Sequence, residues 1–192
     1  MSPMIHTTMN IGWLILIFLW LVSSLSAKKS SQRESLFLRF IYYWLPLILE
    51  IYLLGPEERP GNSLIKGNFI PHINQVGLTG LFVFYLGLII AFWSRILLGK
   101  NWSVSVQRKK HHELIKKGPY SLVRHPIYTG LLLMFLGNTI IESTWRGLIG
   151  FLILFVSFWF KLRKEEKWLT GIFGNDYLQY MTTTKALIPW IL

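Results

Sequence analysis

The 192 residues contain no cysteine. That absence excludes disulfides, thiolate metal sites and a cysteine nucleophile. Charge is also scarce: Asp, Glu, Lys and Arg make up 15% of the chain, against about 25% in an ordinary soluble domain. Acidic groups are scarcer still, nine against twenty Lys and Arg, which leaves a formal net charge of +11. With 52% hydrophobic residues, such a chain does not cover a water-facing surface with polar groups. There is no Gly-x-Gly-x-x-Gly after a strand and no P-loop, so a Rossmann-type cofactor domain has no place. No His-Glu-x-x-His or other usual zinc spacing occurs, and the adjacent His111 and His112 point in different directions, so no metal site is expected. Neither an internal repeat nor a low-complexity segment is present, and basic residues do not precede the first apolar run.

What is present is a series of five apolar stretches: Ile11 to Ala27, Leu36 to Leu54, Val76 to Leu98, Pro126 to Ile141 and Trp145 to Phe160. About 20 apolar residues cross a hydrocarbon core, and the third stretch meets that length most clearly. The last two cover roughly 24 Å each at ~1.5 Å per residue, and are expected to form a short helical hairpin turning at Glu142 to Arg146. The fold class is therefore all-α, a polytopic integral membrane protein of about five transmembrane helices. The first stretch lacks a signal-peptide cleavage pattern and reads as a retained span. Nine Trp within an aromatic fraction of 16% suit a chain with lipid-water interfaces. Residues 1-192 read as one domain, with the first three helices in 1-98 and a catalytic region in 99-192.

The positive charges orient these spans. Loops one and three and the C-terminal tail share a face, carrying Lys28, Lys29 and Arg33, then Lys100 to Arg124, then Lys161 to Lys185. The opposite face carries only Arg59, Lys66 and Arg146, while Arg39 and Arg95 fall within spans. Such asymmetry places the basic face in the cytoplasm and the N-terminus outside. Anionic lipid headgroups explain the charge better than nucleic acid does. The two polar segments able to carry chemistry, the third loop and the start of the tail, then lie on one side. Glu50 and Arg95 are expected near helix ends, where snorkelling relieves their cost.

Two motifs stand out. In Gly118-Pro119-Tyr120-Ser121-Leu122-Val123-Arg124-His125-Pro126-Ile127-Tyr128-Thr129-Gly130, Pro126 suits the first turn of the fourth helix. Arg124 and His125 then sit at a helix N-terminus, where backbone N–H groups and the dipole favour an anion. Arg124 adds a two-pronged donor for a carboxylate, and Tyr128 lies one turn in. In Lys161-Leu162-Arg163-Lys164-Glu165-Glu166-Lys167-Trp168-Leu169, the adjacent carboxylates stand on a strongly basic face. They suit a cationic amino group or ribose hydroxyls.

Together these residues resemble the isoprenylcysteine carboxyl methyltransferases and related membrane methyltransferases. The resemblance rests on His112, Leu114, Ile115, Gly118, Tyr120, Arg124, His125, Pro126, Tyr128 and Gly130, followed by Glu165, Glu166, Leu169, Phe173, Gly174, Tyr177, Tyr180 and Pro189. It covers the chain from about His112 onward, and the earlier residues match only in being hydrophobic. Arg163 and Lys164 depart from the more acidic run of eukaryotic members.

The resemblance implies a cytoplasmic pocket for S-adenosylmethionine, leaving as S-adenosylhomocysteine, without a Rossmann fold. By position, its cofactor neighbours would be His112, Leu114, Gly118, Tyr120, Val123, His125, Pro126, Tyr128, Glu165, Glu166 and Leu169. Arg124 would face the reacting carboxylate, with Glu166 as the second catalytic residue. The acceptor implied is the C-terminal carboxylate of an isoprenylated cysteine. Alternatives are a phospholipid or other lipid amine, with Glu166 or His125 as base, and a non-enzymatic membrane protein. Membrane lipids are expected partners, and nucleic acid and metal are not.

Overall fold

A computed structural model describes residues 1–24, 37, 40–55, 65, 67–99 and 114–192. Seven α-helices occur among them: α1 Pro3–Ser24, α2 Leu45–Leu53, α3 Asn74–Leu98, α4 Pro119–Leu122, α5 Pro126–Glu142, α6 Trp145–Phe173 and α7 Asn175–Thr183. A π-helical turn, Phe40–Trp44, leads into α2. Helices α1, α3 and α6 are long and apolar enough to cross a membrane, and α5 is a shorter apolar helix. Large apolar side chains face outward along them, among them Phe18, Phe82 and Phe160. On a soluble surface these would be a liability, whereas lipid tails solvate them. The chain is thus a multi-pass membrane protein.

Two expectations about the helices change. The last apolar stretch continues to Phe173 as a helix of 29 residues, so α5 and α6 form an unequal hairpin rather than a short one. The run Lys161 to Trp168 keeps helix-favouring Leu, Arg, Lys and Glu after the apolar residues end, and the helix stops at Gly174 (φ 55°). The second stretch does not begin as a regular α-helix: the π-helical turn runs directly into a nine-residue α2 that has Pro46 in its first turn. The expected hairpin turn itself is present. Ser143 takes a left-handed conformation (φ 59°), and the Thr144 hydroxyl accepts from the Gly147 N–H at 3.2 Å.

Helix α5 lies against α3 at backbone contact. A Cβ added at Gly87 would come within 2.4 Å of the Gly130 carbonyl, and one at Gly80 within 2.7 Å of the Gly137 carbonyl. Small residues let membrane helices approach so that dispersion acts along their whole length. Phe84 and Met134 are fully buried in the adjoining core with Ile5, Met9 and Leu88. A second core of Leu132, Phe135, Leu154, Phe158 and Leu162 joins α5 to α6 and to Leu187 of the tail.

Glu50 and Arg95 do not snorkel. Glu50 is completely buried, its carboxyl against Gly150 and 3.5 Å from the Thr139 hydroxyl. Arg95 is also buried, donating to the carbonyls of Ser23 at 2.9 Å and Gly99 at 3.1 Å. Free carbonyls at helix ends satisfy the guanidinium inside the fold, so it does not have to reach water.

Candidate active site

The site is assembled where three chain segments meet. Val123 forms a parallel bridge with Lys185, the Arg124 N–H donates to the Lys185 carbonyl at 2.8 Å and the His125 N–H to the Ala186 carbonyl at 3.0 Å. Pro126 occupies the first turn of α5, as expected from its lack of an N–H. The Thr129 hydroxyl reaches the Leu187 carbonyl at 2.8 Å. The tail therefore fixes the backbone just before α5, while α6 runs past the same end and brings Glu165 and Glu166 to it.

Glu166 is the centre of this arrangement. Its Oε1 accepts from Arg124 Nε at 2.8 Å and from Nη2 at 2.6 Å, and lies 3.4 Å from His125 Nε2. Arg163 Nη1 approaches Oε2 at 3.5 Å. Both members of the central pair are buried, Arg124 7% and Glu166 4% exposed. The third nitrogen of Arg124, Nη1, donates to the carbonyls of Thr184 and Met181. The anion expected at the start of α5 is present as this chain's own carboxylate, and the guanidinium is engaged by the chain itself.

Glu165 faces the same space from the next position. Its Oε2 accepts from the Tyr128 hydroxyl at 2.8 Å and lies 3.8 Å from His125 Nδ1. The rings of His125 and Tyr128 stack with centroids 5.6 Å apart, and Lys161 Nζ lies 5.1 Å from the centroid of the Tyr128 ring. Below them Tyr180 donates to the Tyr120 carbonyl, and the Tyr120 hydroxyl reaches the Ser94 carbonyl at 3.4 Å. Burial pushes the phenols of Tyr120, Tyr177 and Tyr180 above their usual range, so all three stay neutral donors at physiological pH.

Of the expected residues, Arg124, His125, Tyr128, Glu165 and Glu166 come together through these contacts. Val123 and Tyr120 are buried beside them, and Pro126 sets the helix start. Gly118 turns the chain into α4 with φ 61°. Leu114 is half-buried ahead of that turn, and Leu169 lies one helical turn beyond Glu165. His112 lies outside the described residues. Met181 and Thr184 are participants that side-chain reasoning does not find, because they act through backbone carbonyls. Tyr177, one of the residues that carry the resemblance, is 1% exposed, with no hydrogen-bond partner for its hydroxyl among the described residues.

Residues 76–176 match the family model described as phospholipid methyltransferase. The protein-S-isoprenylcysteine O-methyltransferase of Schizosaccharomyces pombe is 31% identical over 163 residues, covering 78% of this chain and 67% of that protein. Protein-S-isoprenylcysteine O-methyltransferase B of Arabidopsis thaliana is 26% identical over 129 residues, covering 64% of this chain and 66% of its own. Among solved structures, the eukaryotic intramembrane Ras methyltransferase isoprenylcysteine carboxyl methyltransferase matches with a TM-score of 0.57 at 22% identity. That match takes in 83% of this chain and 55% of the other. The chain thus spans about two thirds of the length of these curated relatives. The likeness begins well before His112, since the family match includes α3, whose apolar sequence alone carries no motif. Matched over more than half its length, with the motif residues gathered at one end of α5, the chain belongs to the isoprenylcysteine carboxyl methyltransferase family of membrane methyltransferases.

Proposed function

We propose that this chain is an S-adenosylmethionine-dependent protein-S-isoprenylcysteine O-methyltransferase, acting on the terminal carboxylate of a prenylated cysteine at the cytoplasmic membrane face. Its whole length serves as one unit, with residues 99–192 as the catalytic region and the N-terminus outside. The observation that carries the reading is the convergence of the buried Arg124, His125 and Glu166 side chains with the half-buried Glu165 at one helix end.

The donor set fits the cofactor. Two carboxylates suit an ammonium and ribose hydroxyls, while Tyr177 Oη and His125 Nε2 are buried polar atoms without a hydrogen-bond partner among the described residues. Glu165 and Glu166 would hold the amino-acid and ribose groups, beside Tyr120, Val123, Pro126, Tyr128, Leu114, Gly118, Leu169 and His112. When bound, S-adenosylmethionine supplies an electrophilic methyl group on a sulfonium.

The acceptor carboxylate is ionised at neutral pH and needs no base. Arg124 aligns it by exchanging Glu166 for the incoming carboxylate, which frees Glu166 toward the cofactor's cation. Arg124 and Glu166 would then each keep a partner of opposite charge in the buried site. Tyr128 holds Glu165 during this exchange, and the apolar surroundings exclude water from the nucleophile. A site at the bilayer edge lets the lipid tail of the acceptor stay in the membrane.

A second reading is favoured by the description of the matching family model and by His125. Its Nε2 lies 3.4 Å from Glu166 Oε1, so the imidazole and this carboxylate together would take the proton from a lipid amine. Calorimetric titration of S-adenosylmethionine into wild-type and Glu166→Ala protein tests the shared part of both readings. Loss of one charge-assisted hydrogen bond weakens binding about tenfold or more. Unchanged affinity in Glu165→Ala, Glu166→Ala and the double variant would remove the carboxylates from the cofactor site.

A further inference from the structure

The far end of α5 carries a second polar cluster. Its seventeen residues separate the helix ends by about 25 Å, so this cluster is remote from Arg124. A cavity of about 390 Å³ there is lined by His6, His72, Glu142 and Arg146 together with Gly55 and Leu54. Glu142 pairs with His6 through Oε1 at 3.4 Å, and Arg146 donates to the Gly55 carbonyl at 3.3 Å. A second cavity of about 360 Å³ is mainly apolar, lined by Trp13, Ile17, Ile51 and Phe135 with Asn138. The two share Leu54, Gly55 and Glu142 as walls, and both volumes fall within the roughly 300–1,000 Å³ of ligand sites. Ile17 and Ile51 are 53% and 56% exposed, so the apolar part opens sideways toward lipid.

We infer that this end of the protein binds a phospholipid whose headgroup carries a primary ammonium. The mouth presents both signs of charge: a purely anionic ligand meets Glu142 and a purely cationic one meets Arg146. A zwitterion satisfies both, with its phosphate toward Arg146 and His72 and its ammonium toward Glu142. Asn138 makes the choice of amine. It stands one helical turn before Glu142 on the same face, is 9% exposed, and its Oδ1 has no partner among the described residues. A buried acceptor left unmatched is costly. An ammonium offers three donors and serves Glu142 and Asn138 together, whereas a trimethylated amine offers none. The acyl chain then lies in the apolar trough along α1. This site takes no part in methyl transfer and does not depend on the acceptor assigned above.

The test is native mass spectrometry of the full-length protein, released from detergent containing equal amounts of phosphatidylethanolamine, phosphatidylcholine and phosphatidylglycerol. Phosphatidylethanolamine adducts are expected to exceed each of the others about tenfold, the equivalent of one charge-assisted hydrogen bond. Glu142→Gln and Asn138→Leu should each remove that preference while S-adenosylmethionine affinity stays intact, and Arg124→Lys should keep it. Equal retention of the three lipids by the wild-type protein overturns the proposal by itself, even where a variant fails to fold. So does a preference that survives both substitutions at this end, or one that is lost in Arg124→Lys.

Discussion

Replacing Glu166 by Ala leaves the Arg124 guanidinium buried at 7% exposure without the oxygen that receives both Nε at 2.8 Å and Nη2 at 2.6 Å. Among the described residues, the carbonyls of Met181 and Thr184 remain to it. Removing one partner of a buried ion pair costs about 3–5 kcal/mol, most of it the penalty of the orphaned charge. The double variant Arg124→Ala/Glu166→Ala removes that charge and should be more stable than either single variant predicts by addition. The two bonds converge on one oxygen, so their coupling is about 3 kcal/mol, the upper end of a single charge-assisted bond rather than the sum of two. The assay is a double-mutant cycle on reversible unfolding in bicelles, read from tryptophan fluorescence. Coupling below about 0.5 kcal/mol, the range of independent sites, would refute the claim that this pair holds the tail and α6 to the start of α5.

Arg124→Lys keeps the charge and loses the planar fork. Single-turnover methyl transfer should fall about a hundredfold, as a misplacement of ~1 Å does, while S-adenosylmethionine affinity measured on the same preparation stays within a few fold. Equal losses in both would put Arg124 in the cofactor pocket. Gly87→Leu forces side-chain atoms into the Gly130 carbonyl and the α5 backbone and should lower stability by about 1–3 kcal/mol or more. The same substitution at Gly171, where an added Cβ meets nothing within 4 Å, serves as the neutral control. For topology, single cysteines at Lys117 and Thr183, both exposed, should label from the cytoplasmic side and one at His72 from the other. Labelling of Lys117 and Thr183 from opposite sides would contradict the orientation.

Features encoded locally were legible in the sequence. Pro126 marks the start of α5, Ser143 and Thr144 turn the hairpin where a short polar break stands between two apolar runs, and the face shared by Arg124 and Glu166 follows from counting spans. The distance between those two residues did not follow from spacing, because they stand 42 positions apart and the chain between them must fold back before they meet. The extension of α6 to Phe173 is hidden by a change of solvent: the helix leaves the apolar layer at Lys161 without ending, and hydropathy registers only the layer. The pairing of Val123 with Lys185 and the carbonyls of Thr184 and Met181 on Arg124 have no sequence signal, since any residue supplies a carbonyl. The close approach of α3 and α5 was present as Gly80 and Gly87 facing Gly130 and Gly137, a spacing of seven in each helix, yet its meaning depends on which helix lies opposite. Glu50 shows the same limit. Position near the end of an apolar run suggested exposure, and Gly150 on α6 makes the space that buries it.

The most direct measurement is incubation of the purified protein with methyl-labelled S-adenosylmethionine and two acceptors, an S-prenylated cysteine and a phospholipid amine, followed by treatment of the products with alkali. A methyl ester releases its label as volatile methanol under base, and a methylated amine retains it. The account predicts label released by alkali from the prenylcysteine product and lost in Arg124→Lys. Alkali-stable label on the phospholipid alone, or none on either acceptor from protein that binds S-adenosylmethionine, would contradict carboxyl methylation.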